Sequence, residues 1–103
     1  MKIKVFGKKD CQSCVATKEK FAFFLNKWGL TSKAEIIFYD LETLEGLTEA
    51  AIQNAMEAPT TILEKDGQEI ARWEKTVPQS QEFKQYFETE TEIEEVLEKS
   101  LKV

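Results

Sequence analysis

Polar and apolar residues alternate through Lys2-Ile3-Lys4-Val5-Phe6, the two-residue period of a strand, and Gly7 ends the run. Beyond Lys8-Lys9-Asp10 the period lengthens. Phe21, Phe24, Leu25 and Trp28 fall at i, i+3, i+4 and i+7, one stripe of a helix that Gly29 stops. The run from Ala34 to Leu41, AEIIFYDL, is short and rich in β-branched and aromatic side chains, so it predicts a buried strand. A second helix is expected over about Thr48 to Met56, with Leu47, Ala51, Ile52 and Ala55 as its apolar positions. Gly46 argues against a start much earlier.

After Pro59, the runs TTILEK and QEIARW flank Asp66-Gly67, a dipeptide suited to a tight turn, and together they predict a β-hairpin. Pro78 suits the first position of a third helix, in which Phe83, Tyr86 and Phe87 share a face. In TETEIEEVLEKSLKV, Ile93, Val96, Leu97 and Leu101 share another, so a helical extension is expected over residues 89–103, packed on the domain or on a partner. The order β-α-β-α-β-β-α predicts an α/β domain over residues 1–88, a four-stranded mixed sheet flanked by helices.

A chain of 103 residues suits one domain, because a core of this size buries roughly two-thirds of the surface the unfolded chain exposes. A hydrophobic content of 42% favours a packed interior over disorder. The start MKIKVFGKKD holds too short an apolar run for a secretory signal, and no stretch of about 18 apolar residues occurs, so a cytoplasmic protein without a membrane partner is expected. Charge divides unevenly. Residues 1–33 carry eight lysines against Asp10 and Glu19, net +6, while the rest carry 17 acidic and 6 basic groups, net −11. Such asymmetry steers partners. An acidic chain without a strong basic patch does not predict a nucleic-acid partner.

The basic third contains both cysteines, Cys11 and Cys14, in VFGKKDCQSC. With a helix starting near Gln12, Cys11 sits at its N-terminus, where unpaired N–H groups and the positive dipole end favour a thiolate. Cys14 lies one turn on over the same side, and seven residues before Phe21 it falls on the core-facing stripe. An exposed nucleophile, Cys11, and a shielded resolving Cys14 follow. Lys8, Lys9 and Ser13 are placed to tune the thiolate, with Asp10 opposing.

Two other chemistries compete. A structural disulfide would close a loop of only four residues and meet a reducing compartment. A structural zinc site takes four Cys or His ligands, and this chain has two cysteines and no histidine, which leaves a site shared by a dimer or a two-thiolate Cu(I) site. The missing histidine also excludes a Cys–His hydrolase. Redox exchange is the favoured chemistry, and neither a metal nor a cofactor is expected.

With Cys11-Gln12-Ser13-Cys14 between a strand and a helix, and Ala58-Pro59-Thr60 leading into a strand and the Asp66-Gly67 hairpin, the chain resembles the thioredoxin/glutaredoxin superfamily over about residues 2–88. The compact form resembles the glutaredoxin-like thioredoxins of prokaryotes. The resemblance implies a thioredoxin-like fold and a cis proline at Pro59 facing the cysteines, with Ala58, Pro59 and Thr60 binding substrate backbone. Thr76-Val77-Pro78 copies a glutaredoxin motif but follows the hairpin, where the element order requires a helix start. Departures from both subfamilies are also legible. ARWEKT stands where glutaredoxins carry a Gly-Gly that helps hold glutathione; Asp10, Gln12 and Ser13 replace the thioredoxin Trp and Gly-Pro; Val5 replaces the buried thioredoxin acid.

What the resemblance implies is a monomeric thiol-disulfide oxidoreductase acting on disulfide-containing proteins and recharged by a reductase, a thioredoxin-reductase-like donor rather than glutathione. The rival expectation is a non-enzymatic thioredoxin-like module whose dithiol binds metal or senses redox state.

Overall fold

The computed structural model describes residues 1–87, in the order β1 (Lys2–Gly7), α1 (Gln12–Lys27), β2 (Glu35–Asp40), α2 (Leu44–Gln53), β3 (Thr60–Lys65), β4 (Gln68–Glu74) and α3, described over residues 80–87. The strands form one sheet in the order β2-β1-β3-β4. β1 and β2 run parallel, and the other two pairings are antiparallel. This is the mixed four-stranded sheet, with the element order, that the sequence predicts. Among the described residues no helix is long and apolar enough to cross a membrane.

Alternation along β1 divides the core between the two faces of the sheet. Ile3 and Val5 join Leu63 of β3, Phe21 and Leu25 of α1, and Phe83 and Phe87 of α3. Phe21 and Phe83 meet with ring centroids 4.3 Å apart. Phe6 and Ile62, on the opposite face, meet Ala50 and Ala55. Burial of each such large side chain stabilises the fold by about 1.5–3 kcal/mol. α1 ends where expected, with Trp28 as its cap and Gly29 at φ +69°. Phe23, off the stripe, is exposed and edge-on to Phe24. The hairpin turn places Asp66 at φ 53° and Gly67 at φ 79°, the doubly positive conformation that an Asp-Gly pair accommodates.

Three expectations are corrected. The buried strand AEIIFYDL is an edge strand: β2 pairs with β1 alone, and its side chains are half-buried or exposed. Its apolar run serves both faces at the sheet margin, Ile36 and Phe38 packing on the face of Val5 and Tyr39 on that of Phe6, so each is covered only in part.

The second correction concerns α2. It starts at Leu44, capped by the Thr43 hydroxyl, which accepts from the Gly46 N–H at 3.1 Å. Gly46 lies inside the helix. Its buried residues are Gly46 and Ala50, whereas Leu44, Leu47, Ile52 and the following Met56 are exposed. A side chain at Gly46 would begin 1.9 Å from the Asp40 carbonyl oxygen. The helix turns its small residues inward because it lies against the backbone leaving β2, at a distance that larger side chains cannot fit.

Thirdly, Pro78 is buried two residues before α3 rather than in its first turn. Gln79 stands at the cap: its N–H donates to Glu82 Oε2 at 2.7 Å, and the Glu82 N–H returns to the Gln79 carbonyl at 2.9 Å. The helical extension expected over residues 89–103 lies outside the described residues.

Candidate active site

β1 delivers the chain to a three-residue turn, Lys8 to Asp10, and α1 begins immediately after Cys11. The turn is held by the Cys11 N–H, which donates to the Lys8 carbonyl at 3.2 Å. Cys11 is the N-cap of α1, in an extended conformation. Its Sγ accepts the backbone N–H of Cys14 at 3.2 Å, and its carbonyl accepts that of Val15 at 3.1 Å. Sulfur thus takes the part that a Ser or Asp oxygen plays at most helix starts, in a field that favours negative charge. No acidic residue occupies the first turn.

Cys11 and Cys14 are joined as a disulfide, with Cα atoms 5.2 Å apart. They differ in access. Cys11 is half-buried and borders an open groove of about 260 Å³ lined by Lys9, Asp10, Gln12, Val15, Ala16 and Glu19, whereas Cys14 is completely buried. The Ser13 hydroxyl lies 3.5 Å from Cys11 Sγ. Lys9 borders the groove, and Lys8, exposed, contributes its carbonyl to the turn.

Gly7 makes the burial of Cys14 possible. It follows Ile3 and Val5 on the core-facing row of β1, and a side chain there would begin 2.5 Å from Cys14 Sγ. The cysteine fills the position that the glycine leaves empty. In the sequence Gly7 reads only as the end of a strand. The available signal was its spacing, two residues after Val5, on a row where an apolar side chain is otherwise the rule.

The second half of the site arrives on β3. The Ala58–Pro59 peptide is cis. Phe6 pairs with Thr60, so Pro59 comes abreast of Gly7 at the end of the sheet where Cys14 is packed. Pro59 and Thr60 are buried, and Ala58 is half-buried. The Pro59 carbonyl accepts from the Lys75 N–H at 2.8 Å, and the Thr60 hydroxyl donates to the Glu57 carbonyl. The structure therefore brings Cys11, Ser13, Cys14, Pro59 and Thr60 to one edge of the molecule.

Arg72 of β4 anchors the start of the proline loop. Its guanidinium donates to the carbonyls of Gln53 at 2.6 Å and Asn54 at 2.8 Å, the exposed C-terminal end of α2. Glu69 and Glu74 hold it in turn. The hydrogen bond to Glu69, with the negative charges of Glu69 and Glu74, raises the Arg72 pKa above its ordinary value against an opposing effect of burial. Nothing in the sequence marks this role, because the two partners are 18 and 19 residues away.

Among the described residues no three His, Cys, Asp or Glu side chains gather to hold a metal ion. The arrangement is that of a dithiol: a cysteine able to carry negative charge at a helix start, and a second one sealed behind it, close enough to form a bond.

No family model matches the sequence, and no curated protein does. Solved structures do. Thioredoxin 1 from Thermosipho africanus is 23% identical with a TM-score of 0.69, the match covering 92% of this chain and 99% of that one. Thioredoxin O2 from Arabidopsis thaliana, in its oxidised state, is 16% identical with a TM-score of 0.67, covering 85% and 72%. A structure described as a malarial protein is 22% identical with a TM-score of 0.67, covering 85% and 93%. The fold is thioredoxin-like, as the sequence resemblance implies.

Proposed function

We propose that this thioredoxin-like chain is a thiol-disulfide oxidoreductase that reduces protein disulfides through Cys11 and Cys14. The observation that carries the reading is the unequal access of two bonded cysteines at a helix N-terminus, Cys11 bordering an open groove and Cys14 completely buried. In the reduced protein the Cys11 thiolate, favoured by the Cys14 N–H and the helix dipole, attacks one sulfur of a substrate disulfide. A Cys11–substrate mixed disulfide forms, and the other substrate sulfur leaves as a thiolate and is protonated. Cys14 then loses its proton and attacks Cys11 Sγ, which releases the second substrate thiol and closes the Cys11–Cys14 bond. Two electrons pass to the substrate, and a reductase must return them.

Ala58, Pro59 and Thr60, abreast of the cysteines, receive the substrate backbone in this reading. Lys9 and Ser13, beside Cys11, support its charge, and Lys8 shapes the turn. The donor is thioredoxin-reductase-like, because the sequence lacks a Gly-Gly after the hairpin to hold glutathione.

Cys14→Ser is expected to trap substrates on Cys11, while Cys11→Ser traps none and abolishes reduction of insulin disulfides. Trapping through Cys14 would reverse the roles, and an inert wild-type protein under dithiothreitol would refute the activity. Comparing thioredoxin reductase with glutathione plus glutathione reductase as electron source tests the donor.

A further inference from the structure

The Thr61 hydroxyl is completely buried and, among the described residues, has no hydrogen-bond partner. The other buried threonines differ: Thr17 donates to the Ser13 carbonyl at 2.7 Å, and Thr60 to that of Glu57. An unpaired buried hydroxyl in a folded protein calls for an explanation. Its position supplies one. Thr61 pairs with Val5 across β1 and β3, so both side chains lie on the face that α1 covers. Gly7 belongs to the same row of β1, and Cys14 Sγ fills its side-chain position. Gly7 and Thr61 are therefore diagonal neighbours across the two strands, a relationship that sets side-chain origins about 7 Å apart. An unused donor shares an otherwise apolar sheet face with the buried sulfur.

We propose that Thr61 donates a hydrogen bond to the Cys14 sulfur when the disulfide is open, and so stabilises the resolving thiolate; this rests on the assignment of Cys14 as the resolving cysteine. In the mixed disulfide, Cys14 is a free thiol in surroundings that disfavour its charged form. To attack Cys11 Sγ it must lose its proton, which is taken up in the net reaction by the departing substrate thiolate. Thr61 stays protonated throughout and lowers the cost of the charge that develops on Cys14. Closing the Cys11–Cys14 bond removes that charge, and the hydroxyl is then left without a partner, as observed.

The test replaces Thr61 with Val, of nearly the same shape without the hydroxyl, and with Ser, which keeps it. In a Cys11→Ser background, ultraviolet thiolate absorbance follows the titration of Cys14 without any substrate. Thr61→Val is expected to lower the thiolate fraction at a fixed pH about tenfold, and Thr61→Ser to restore most of it. With Cys11 intact, the second thiol released from a nitrothiobenzoate mixed disulfide should appear about tenfold more slowly in Thr61→Val. An unchanged titration in folded Thr61→Val, checked by circular dichroism, overturns the proposal. A shifted titration in a protein that reduces no protein disulfide would refute the proposed function and leave the Thr61 bond standing.

Discussion

Cys14 occupies the space that a side chain on Gly7 would need: its sulfur lies 2.5 Å from where a Cβ on the glycine would stand, inside contact distance. Gly7→Ala is therefore expected to destabilise the protein by about 1–3 kcal/mol through overpacking, since the neighbour that must move is tethered to Cys11. Guanidinium unfolding of the oxidised protein measures this. A midpoint matching wild type would show that α1 can shift without cost.

Gly46 makes a harder contact. Its missing side chain would meet backbone, the Asp40 carbonyl oxygen at 1.9 Å, so Gly46→Ala is expected to cost about 3 kcal/mol or more despite the better helix propensity of alanine. Leu44→Gln and Ile52→Gln, on the exposed side of the same helix, are expected to change stability by less than about 0.5 kcal/mol. Thermal or denaturant unfolding of the three variants reads the orientation of α2 directly; the reverse ranking would place the large residues inward.

Arg72 ties α2 to β4 through two carbonyls, a charged donor pair that a lysine cannot reproduce. Arg72→Ala is expected to lose about 1.5–3 kcal/mol, with Arg72→Lys recovering little. Its raised pKa means that the charge, and with it this contribution, is complete at neutral pH and is lost only as pH rises through the folded value, above the ordinary guanidinium range. Amide exchange should show the effect concentrated over Gln53 to Thr60. Uniform loss of protection would mean that Arg72 stabilises the fold without localising the loop.

Ser13 stands at the outer limit of hydrogen-bond distance from Cys11 Sγ. Ser13→Ala is expected to lower the Cys11 thiolate fraction by about twofold to fivefold, as suits one neutral donor on a partly exposed sulfur. The thiolate titration of a Cys14→Ser background measures it. A larger loss would make the hydroxyl, rather than the Cys14 N–H and the helix dipole, the main source of stabilisation.

The site was legible wherever its chemistry depends on neighbours in the chain. Cys11 at a helix start and Cys14 on the inward stripe follow from the period of Phe21, Phe24, Leu25 and Trp28, and the Asp66-Gly67 turn follows from its dipeptide. Reading failed where a residue's role is set by what lies opposite. Leu47 and Ile52 have the spacing of a buried stripe, yet α2 approaches the backbone leaving β2 so closely at Gly46 that the helix buries Gly46 and Ala50 instead.

By itself the sequence determined the order of elements, the mixed sheet and the unequal cysteines, because hydrophobic period, turn residues and helix-end electrostatics act over a few residues. Only the tertiary structure decided that β2 is an edge, that Gly7 makes room for Cys14, that Arg72 reaches the end of α2, and that the Thr61 hydroxyl is buried without a partner on the sheet face that receives Cys14. Those facts depend on strand pairing and on which atoms compete for one volume, and both are settled only when distant segments pack together.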